Sequence, residues 1–233
     1  MTSIKALLRL ARKIRNYDLR RKTIELLRRP DIDERLKLGK HTPLKNAPAS
    51  RRGHHSYPGG LIQHTLSCTR LALALCESVE KVYGSKVDKD IVIASALLHD
   101  IYKFYSYLEV EQGYASSRLG ERLDHLSLAI GELYKRGFPL EVIHAVAAHH
   151  GKLSPIAPRT LEALIVHLAD RIDSELSSEI IDAARAIVKE CLGEDIKVFR
   201  DSKQAFQIVL LKQAEGCEKL KEEWAKLKGA PLP

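Results

Sequence analysis

Methionine and asparagine are nearly missing from this chain of 233 residues, which contains one Met and two Asn. Alongside 29% charged residues, that scarcity is the balance of heat-adapted proteins, so a thermophilic source is expected. Cysteine is also sparse. Cys68, Cys76, Cys191 and Cys217 are widely spread and form no Cys-x-x-Cys pair, so spacing indicates neither a thiolate zinc site nor a disulfide framework, and buried free thiols are expected. No run of about 18 apolar residues exists, so no membrane span is expected. The basic N-terminal stretch has no uninterrupted apolar segment of the kind a secretory signal needs, and the expected location is cytoplasmic. Alternation of apolar and polar residues is nowhere long enough for a sheet; only Glu109 to Ala115 could form a short hairpin around Gln112-Gly113.

Helical periodicity is abundant. Apolar residues recur at helical spacing from Ile4 to Leu27, before Pro30, which predicts one or two amphipathic helices in an N-terminal arm that must dock on something. Glycines and prolines between residues 39 and 60 mark the main linker. Further helices are predicted over Leu61 to Tyr83, Lys89 to Lys103, Arg122 to Arg136, Leu140 to His150, Thr160 to Leu176, Ser178 to Leu192 and Ser202 to Leu227. The fold class is all-α, with a basic helical arm over 1–45, a core over 46–180 and C-terminal helices over 181–233. Those last helices, with Trp224 near the end, would pack on the core or form a homodimer.

The formal charge is +8 and is concentrated early, from Lys5 to Arg29. Such a stripe suits anionic partners, either phosphate esters or nucleic acid. With Tyr17 as the lone aromatic there, no platform for stacking bases is interleaved, and a solvated helix face accounts for it equally.

The chemistry lies further on. Ile91 to Leu98 is almost wholly apolar and delivers His99 and Asp100 at its end. Adjacent helical residues point about 100° apart, so both reach one point if it lies beside the helix terminus. His64 follows the Pro58-Gly59-Gly60 turn, and Asp170 ends another apolar run, Leu164 to Ala169. Two imidazoles and two carboxylates converging from three helices form a donor set for a divalent ion with open positions for water and substrate. Fe or Mn suits it best, with Co, Ni, Zn or Mg as alternatives. His125, His149 and His150 could complete a second metal site or surround a single one, so one ion and two ions both stay open. His144 and His167 lack comparable context and are assigned to packing or surface.

The ordered set His64, His99-Asp100, His125, His149-His150 and Asp170 resembles the HD superfamily of metal-dependent phosphohydrolases over about residues 54 to 180. Leu97-Leu98-His99-Asp100-Ile101-Tyr102-Lys103 matches its extended motif, and the stretch from His54 to Thr65 adds specificity. The resemblance implies an all-helical HD bundle that hydrolyses phosphomonoesters or phosphodiesters. It gives His64, His99, Asp100 and Asp170 the core metal roles, and His125 and His149 those of a second metal. Lys103 matches a lysine that contacts the substrate phosphate, though a salt bridge to Asp100 is an equal reading. His55 or Tyr57 could hold the leaving group or act as base, or simply order the turn. Asp124 and Asp173 are candidate supporting carboxylates.

Within the superfamily the chain is similar to the 3'-to-5' exoribonucleases and to the archaeal iron-dependent phosphodiesterases that open dihydroneopterin 2',3'-cyclic phosphate. The former normally carry an oligonucleotide-binding β-barrel where this chain has a basic helical arm. A phosphodiesterase for a small cyclic or nucleotide-like ester is therefore expected. A nucleotide phosphomonoesterase, an enzyme acting on RNA and a nucleic-acid-binding helical protein with a vestigial site are the alternatives.

Overall fold

Three helices meet at the centre of the molecule because each carries a face of small and branched apolar residues. The computed structural model describes residues 3–32 and 39–229; residues 33–38 of the expected arm and linker, and the final four residues, lie outside them. The central helices are α3 (Gly60–Tyr83), α4 (Lys89–Leu98) and α7 (Leu161–Leu192), numbered after α1 (Ile4–Ala11) and α2 (Tyr17–Arg28). Ala72, Cys76, Val92, Ala96, Ile165, Val166 and Ala169 form their common core. Small residues there let the backbones approach closely, which brings the helix-borne site residues together.

Helices α5 (His125–Lys135) and α6 (Leu140–Ala147) flank the other side of α4, where Leu126, Leu133, Val142 and Val146 join Ile93, Leu97 and Ile101 in the largest core cluster. The N-terminal pair joins the same cluster through Leu7, Ile14, Leu19 and Leu26. Its corner is anchored: the Arg15 and Asn16 backbone N–H groups both donate to the Asp90 carboxylate at 2.8 Å. Part of the basic stripe is paired within the chain, as in Lys22 with Asp18 at 2.7 Å and with the Gly137 carbonyl at 2.6 Å.

The expected hairpin is present as β1 (Tyr107–Val110) and β2 (Gly113–Ser116), antiparallel with Leu108 opposite Ala115. Several helix boundaries differ from the sequence reading: the helix expected from Arg122 begins at His125, and the one expected to reach His150 ends at Ala147. The expected helix to Lys103 ends at Leu98, and Ile101–Ser106 continues as 3-10 turns. The two helices expected on either side of Ser177 are one continuous helix, α7, because serines are weak breakers and the Ser177 Oγ is occupied in accepting the His55 N–H at 2.9 Å.

Helix α8 (Ser202–Gly229) packs on the C-terminal half of α7 and is broken at Gly216, which has φ 79°. Trp224 is buried among Ala184, Val188 and Leu220 in this packing. The break turns the chain so that Cys217 meets Cys191 on α7, and the two form a disulfide. This corrects the expectation of four free thiols: Cys68 and Cys76 are free and buried, Cys191 and Cys217 are not. Nothing in their spacing could reveal the pair, since only the docking of α8 on α7 brings the two together.

Candidate metal centre

Helix α4 is buried from Val92 to Leu98, and it stops where the chemistry begins. His99 keeps helical angles, whereas Asp100 turns to φ −113° and ψ 4°. The bend swings the carboxylate round beside the imidazole, and both side chains are wholly buried.

The ring orientations carry the argument for a cation. His99 Nδ1 donates to the Ala96 carbonyl at 2.9 Å and His149 Nδ1 to the Val146 carbonyl at 2.7 Å, while His64 Nδ1 pairs with Asp173 Oδ2 at 2.7 Å. With the proton on Nδ1, each Nε2 turns a lone pair inward. His64 and His99 Nε2 face each other at 3.2 Å, and His64 Nε2 also lies 3.1 Å from Asp170 Oδ1 and 3.3 Å from Asp100 Oδ2. Lone pairs meeting carboxylate oxygens repel unless a cation lies between them. Donors held about 2.1 Å from one ion sit roughly 3 Å from their neighbours, the spacing found here.

A second group gathers on the other carboxylate oxygen. Asp100 Oδ1 is 3.3 Å from His125 Nε2 and 3.5 Å from His149 Nε2. Donor atoms of Asp100, His125, His149 and His150 all lie within 4.8 Å of one another, as do those of His64, Cys68, His99 and Asp170. Asp100 Oδ1, His125 Nε2 and His149 Nε2 are buried without a hydrogen-bond partner among the described residues. Orphan polar atoms of this kind are costly, and a divalent ion in each group would satisfy them. The donor set thus fits metal.

The surrounding charge agrees. Burial works against an ionised Asp100, yet the Lys103 ammonium, followed by His99, His125 and His149, holds its carboxyl well below the ordinary range. Asp170 is likewise held down, against burial, by the His64 hydrogen bond and by His99. Lys103 Nζ stands 2.6 Å from Asp100 Oδ2, so the salt bridge is formed and the ammonium belongs to the site. Burial and the neighbouring His149 push His150 down to about 3, leaving a neutral imidazole with a lone pair to give.

His55 and Tyr57 lie behind His64. His55 Nε2 is 2.8 Å from Asp173 Oδ2, the oxygen that also meets His64 Nδ1, and His55 Nδ1 is hydrogen-bonded to the Tyr57 hydroxyl. Asp173 therefore orients His64 from one turn beyond Asp170, the support expected of a carboxylate behind a metal-bound imidazole. Gly60 makes the turn before α3 feasible, because a Cβ there would run into the His55 carbonyl.

The remaining sequence candidates have structural duties. Asp124 caps α5, accepting from Ser127 N at 2.7 Å and so fixing where His125 starts its helix. His144 Nε2 accepts from Arg159 N at 3.0 Å. His167, assigned to packing or surface, holds the His149 carbonyl through Nδ1 at 2.7 Å, and Gly151, at φ 62°, leaves room for its ring. Two neighbours of the centre had no assigned role. Cys68 lies one turn after His64 on the same helix face, a spacing that could have flagged it, and burial pushes its thiol up to about 12, so it packs as a neutral thiol. The other is His54, whose ring centroid is 5.2 Å from that of His64.

Comparison with known proteins agrees with this geometry. Residues 61–175 match the HD domain family. The chain is 45% identical over 180 residues to the dihydroneopterin 2',3'-cyclic phosphate phosphodiesterase of Methanocaldococcus jannaschii, covering 77% of this chain and 72% of that relative. No solved structure matches the chain.

Proposed function

Because the chain belongs to the HD-domain phosphohydrolases, we propose that it is a two-metal phosphodiesterase acting on a small 2',3'-cyclic phosphate ester. Dihydroneopterin 2',3'-cyclic phosphate, for which its relative is named, is the leading candidate substrate. The observation that supports two ions is the two-sided setting of Asp100, one oxygen toward His64 and His99 and the other toward His125 and His149. A one-metal site would leave His125 and His149 with buried, unpartnered Nε2 atoms, which counts against the single-metal phosphomonoesterase. Fe(II) or Mn(II) suits a mixed imidazole and carboxylate set with open positions.

In this reading His64, His99, Asp100 and Asp170 hold one ion, and Asp100, His125, His149 and His150 hold the other. When bound, such ions supply Lewis acidity toward phosphoryl oxygens and activate water as the nucleophile. The chain's own residues do the rest. Asp173 keeps His64 in the tautomer that turns Nε2 inward, as the Ala96 and Val146 carbonyls do for His99 and His149. Lys103 keeps a fixed positive charge at the centre, able to pair with a non-bridging phosphate oxygen. Burial of His64, His99, Asp100 and His149 excludes bulk water and strengthens each of these interactions.

The test is a metal-and-substrate matrix. Chelator-stripped protein is reloaded with Fe, Mn, Co, Ni, Zn or Mg and assayed on 2',3'-cyclic nucleotides, dihydroneopterin 2',3'-cyclic phosphate, bis-p-nitrophenyl phosphate, p-nitrophenyl phosphate and short RNA. The expected result is diester hydrolysis that is fastest with Fe or Mn and close to two ions per chain. Turnover of the monoester alone with one ion per chain would replace this reading with the phosphomonoesterase, and turnover of RNA alone with the exoribonuclease.

A further inference from the structure

His54 and His55 are adjacent, and both imidazoles pack beside the His64 ring. His55 has φ 45°, a left-handed conformation rare outside glycine, and this twist sends successive imidazoles in different directions. The two rings lie 5.4 Å and 5.2 Å from the His64 ring, for His55 and His54 respectively, and are nearly perpendicular to each other at 82°. His55 engages Asp173 behind His64. His54 lies close enough to Lys103 and Asp100 to feel their charges.

The segment is pinned. Ser50 Oγ donates to the His54 carbonyl at 2.7 Å, the His55 N–H donates to Ser177 Oγ at 2.9 Å, and the Ala49 N–H donates to the His55 carbonyl at 3.2 Å. Backbone strain held in place by surrounding hydrogen bonds is a common sign of a functional position. Against that rigid frame, His54 Nε2 is buried and has no hydrogen-bond partner among the described residues. His54 also belongs to neither group of converging donor atoms. A buried ring nitrogen without a partner costs folding free energy, so its partner should be something the chain binds.

We propose that His54 is a substrate-contacting residue of this centre, its Nε2 forming a hydrogen bond to an oxygen of the bound phosphate ester. The proposal rests on the phosphodiesterase reading above and adds to it a hydrogen-bond contact besides the metal ligands and Lys103.

The experiment compares wild type, His54→Gln and His54→Leu by metal content, by Tm of the metal-free protein, by kcat and KM for a 2',3'-cyclic nucleotide, and by affinity of the metal-loaded protein for inorganic phosphate. For His54→Leu the expected result is unchanged metal content, a Tm that holds or rises because the orphan nitrogen is gone, and a loss of about 10- to 100-fold in kcat/KM, as for a lost hydrogen bond to a charged group. His54→Gln, which keeps a donor, should recover most of the rate. Loss of metal from His54→Leu would overturn the proposal in favour of a ligand role. A fall in Tm with kcat/KM intact would reduce His54 to packing. If wild type binds two ions but cleaves no cyclic diester, the phosphodiesterase reading fails separately. Phosphate affinity then decides for His54, a roughly tenfold loss in His54→Leu upholding the contact and equal affinity refuting it.

Discussion

Asp100 offers one carboxylate oxygen to each half of the centre: Oδ2 stands 3.3 Å from His64 Nε2, and Oδ1 stands 3.3 Å from His125 Nε2. A residue shared in this way should affect both ions, whereas residues on one side should affect one. Asp100→Ala is expected to lower metal content toward zero and activity by at least about a thousandfold, the scale of losing metal catalysis altogether. His125→Ala should retain about one ion per chain and lose most of the activity. Elemental analysis of purified variants reloaded in parallel reads this out; equal loss of metal in both would argue against two separable sites.

Asp173 touches no expected ligand position except through His64 Nδ1, at 2.7 Å. Asp173→Asn keeps the shape while removing the charge that fixes the His64 tautomer. A loss of roughly 10- to 100-fold in metal affinity or activity is expected, as for other carboxylates behind metal-bound histidines. Titrating metal back should restore much of the activity. A variant with wild-type affinity would show that Asp173 serves only the loop.

The metal-free protein should lose stability well above the carboxylate range as pH falls. His54 and His150 are pushed down to about 3 in the fold from an ordinary 6.5, burial being the main cause in both. Below about pH 6.5 the unfolded chain takes up protons that the folded chain refuses until about pH 3, so stability declines across that window. His55 and His125 are lowered too, chiefly by burial, and add to the slope. His64 is raised, its partners outweighing burial, so its stabilisation is fully present below about 6.5, is lost only as pH rises above that, and adds no slope in the acid window. Below the usual carboxylate value, Asp170 and Asp173, both held down, steepen the decline. Thermal melts from pH 7 to 4 should slope, and His150→Gln should flatten them; a level profile would contradict neutral buried imidazoles.

The Cys191–Cys217 bridge closes a sequence separation of 26 residues and ties α8 to α7 away from the centre. Cys191→Ser should cost about 2–4 kcal/mol of stability on loop-closure grounds, with kcat/KM unchanged. Melts with and without reductant check it, and an unaltered Tm in wild type under reducing conditions would show the bridge to be dispensable.

The candidate metal ligands were legible in the sequence because their chemistry is local: a His-Asp pair ending an apolar helix, His64 just inside a helix after a glycine turn, and Asp170 ending another apolar run all look out of place unless something binds them. The helices were legible for the same reason, through their apolar periodicity and the glycine and proline breaks between them. Two of the boundary differences are also physical. Apolar periodicity runs to Leu98 and cannot register that Asp100 must leave the helix to share a point with His99, and Ser177 reads as a break although its hydroxyl is spoken for by His55 N–H.

Sequence alone thus determined the helical class and picked out the candidate donors, since each depends on side-chain chemistry and near-neighbour periodicity. The tertiary structure decided how the donors divide, because only the packing of α3 and α5 around the end of α4 places one Asp100 oxygen on each side. It also decided that His55 serves His64 through Asp173 across a separation of 118 residues, and that Cys191 meets Cys217. These relationships depend on the angle and register at which helices pack, set by the size of the residues between them, and no spacing along the chain encodes that angle.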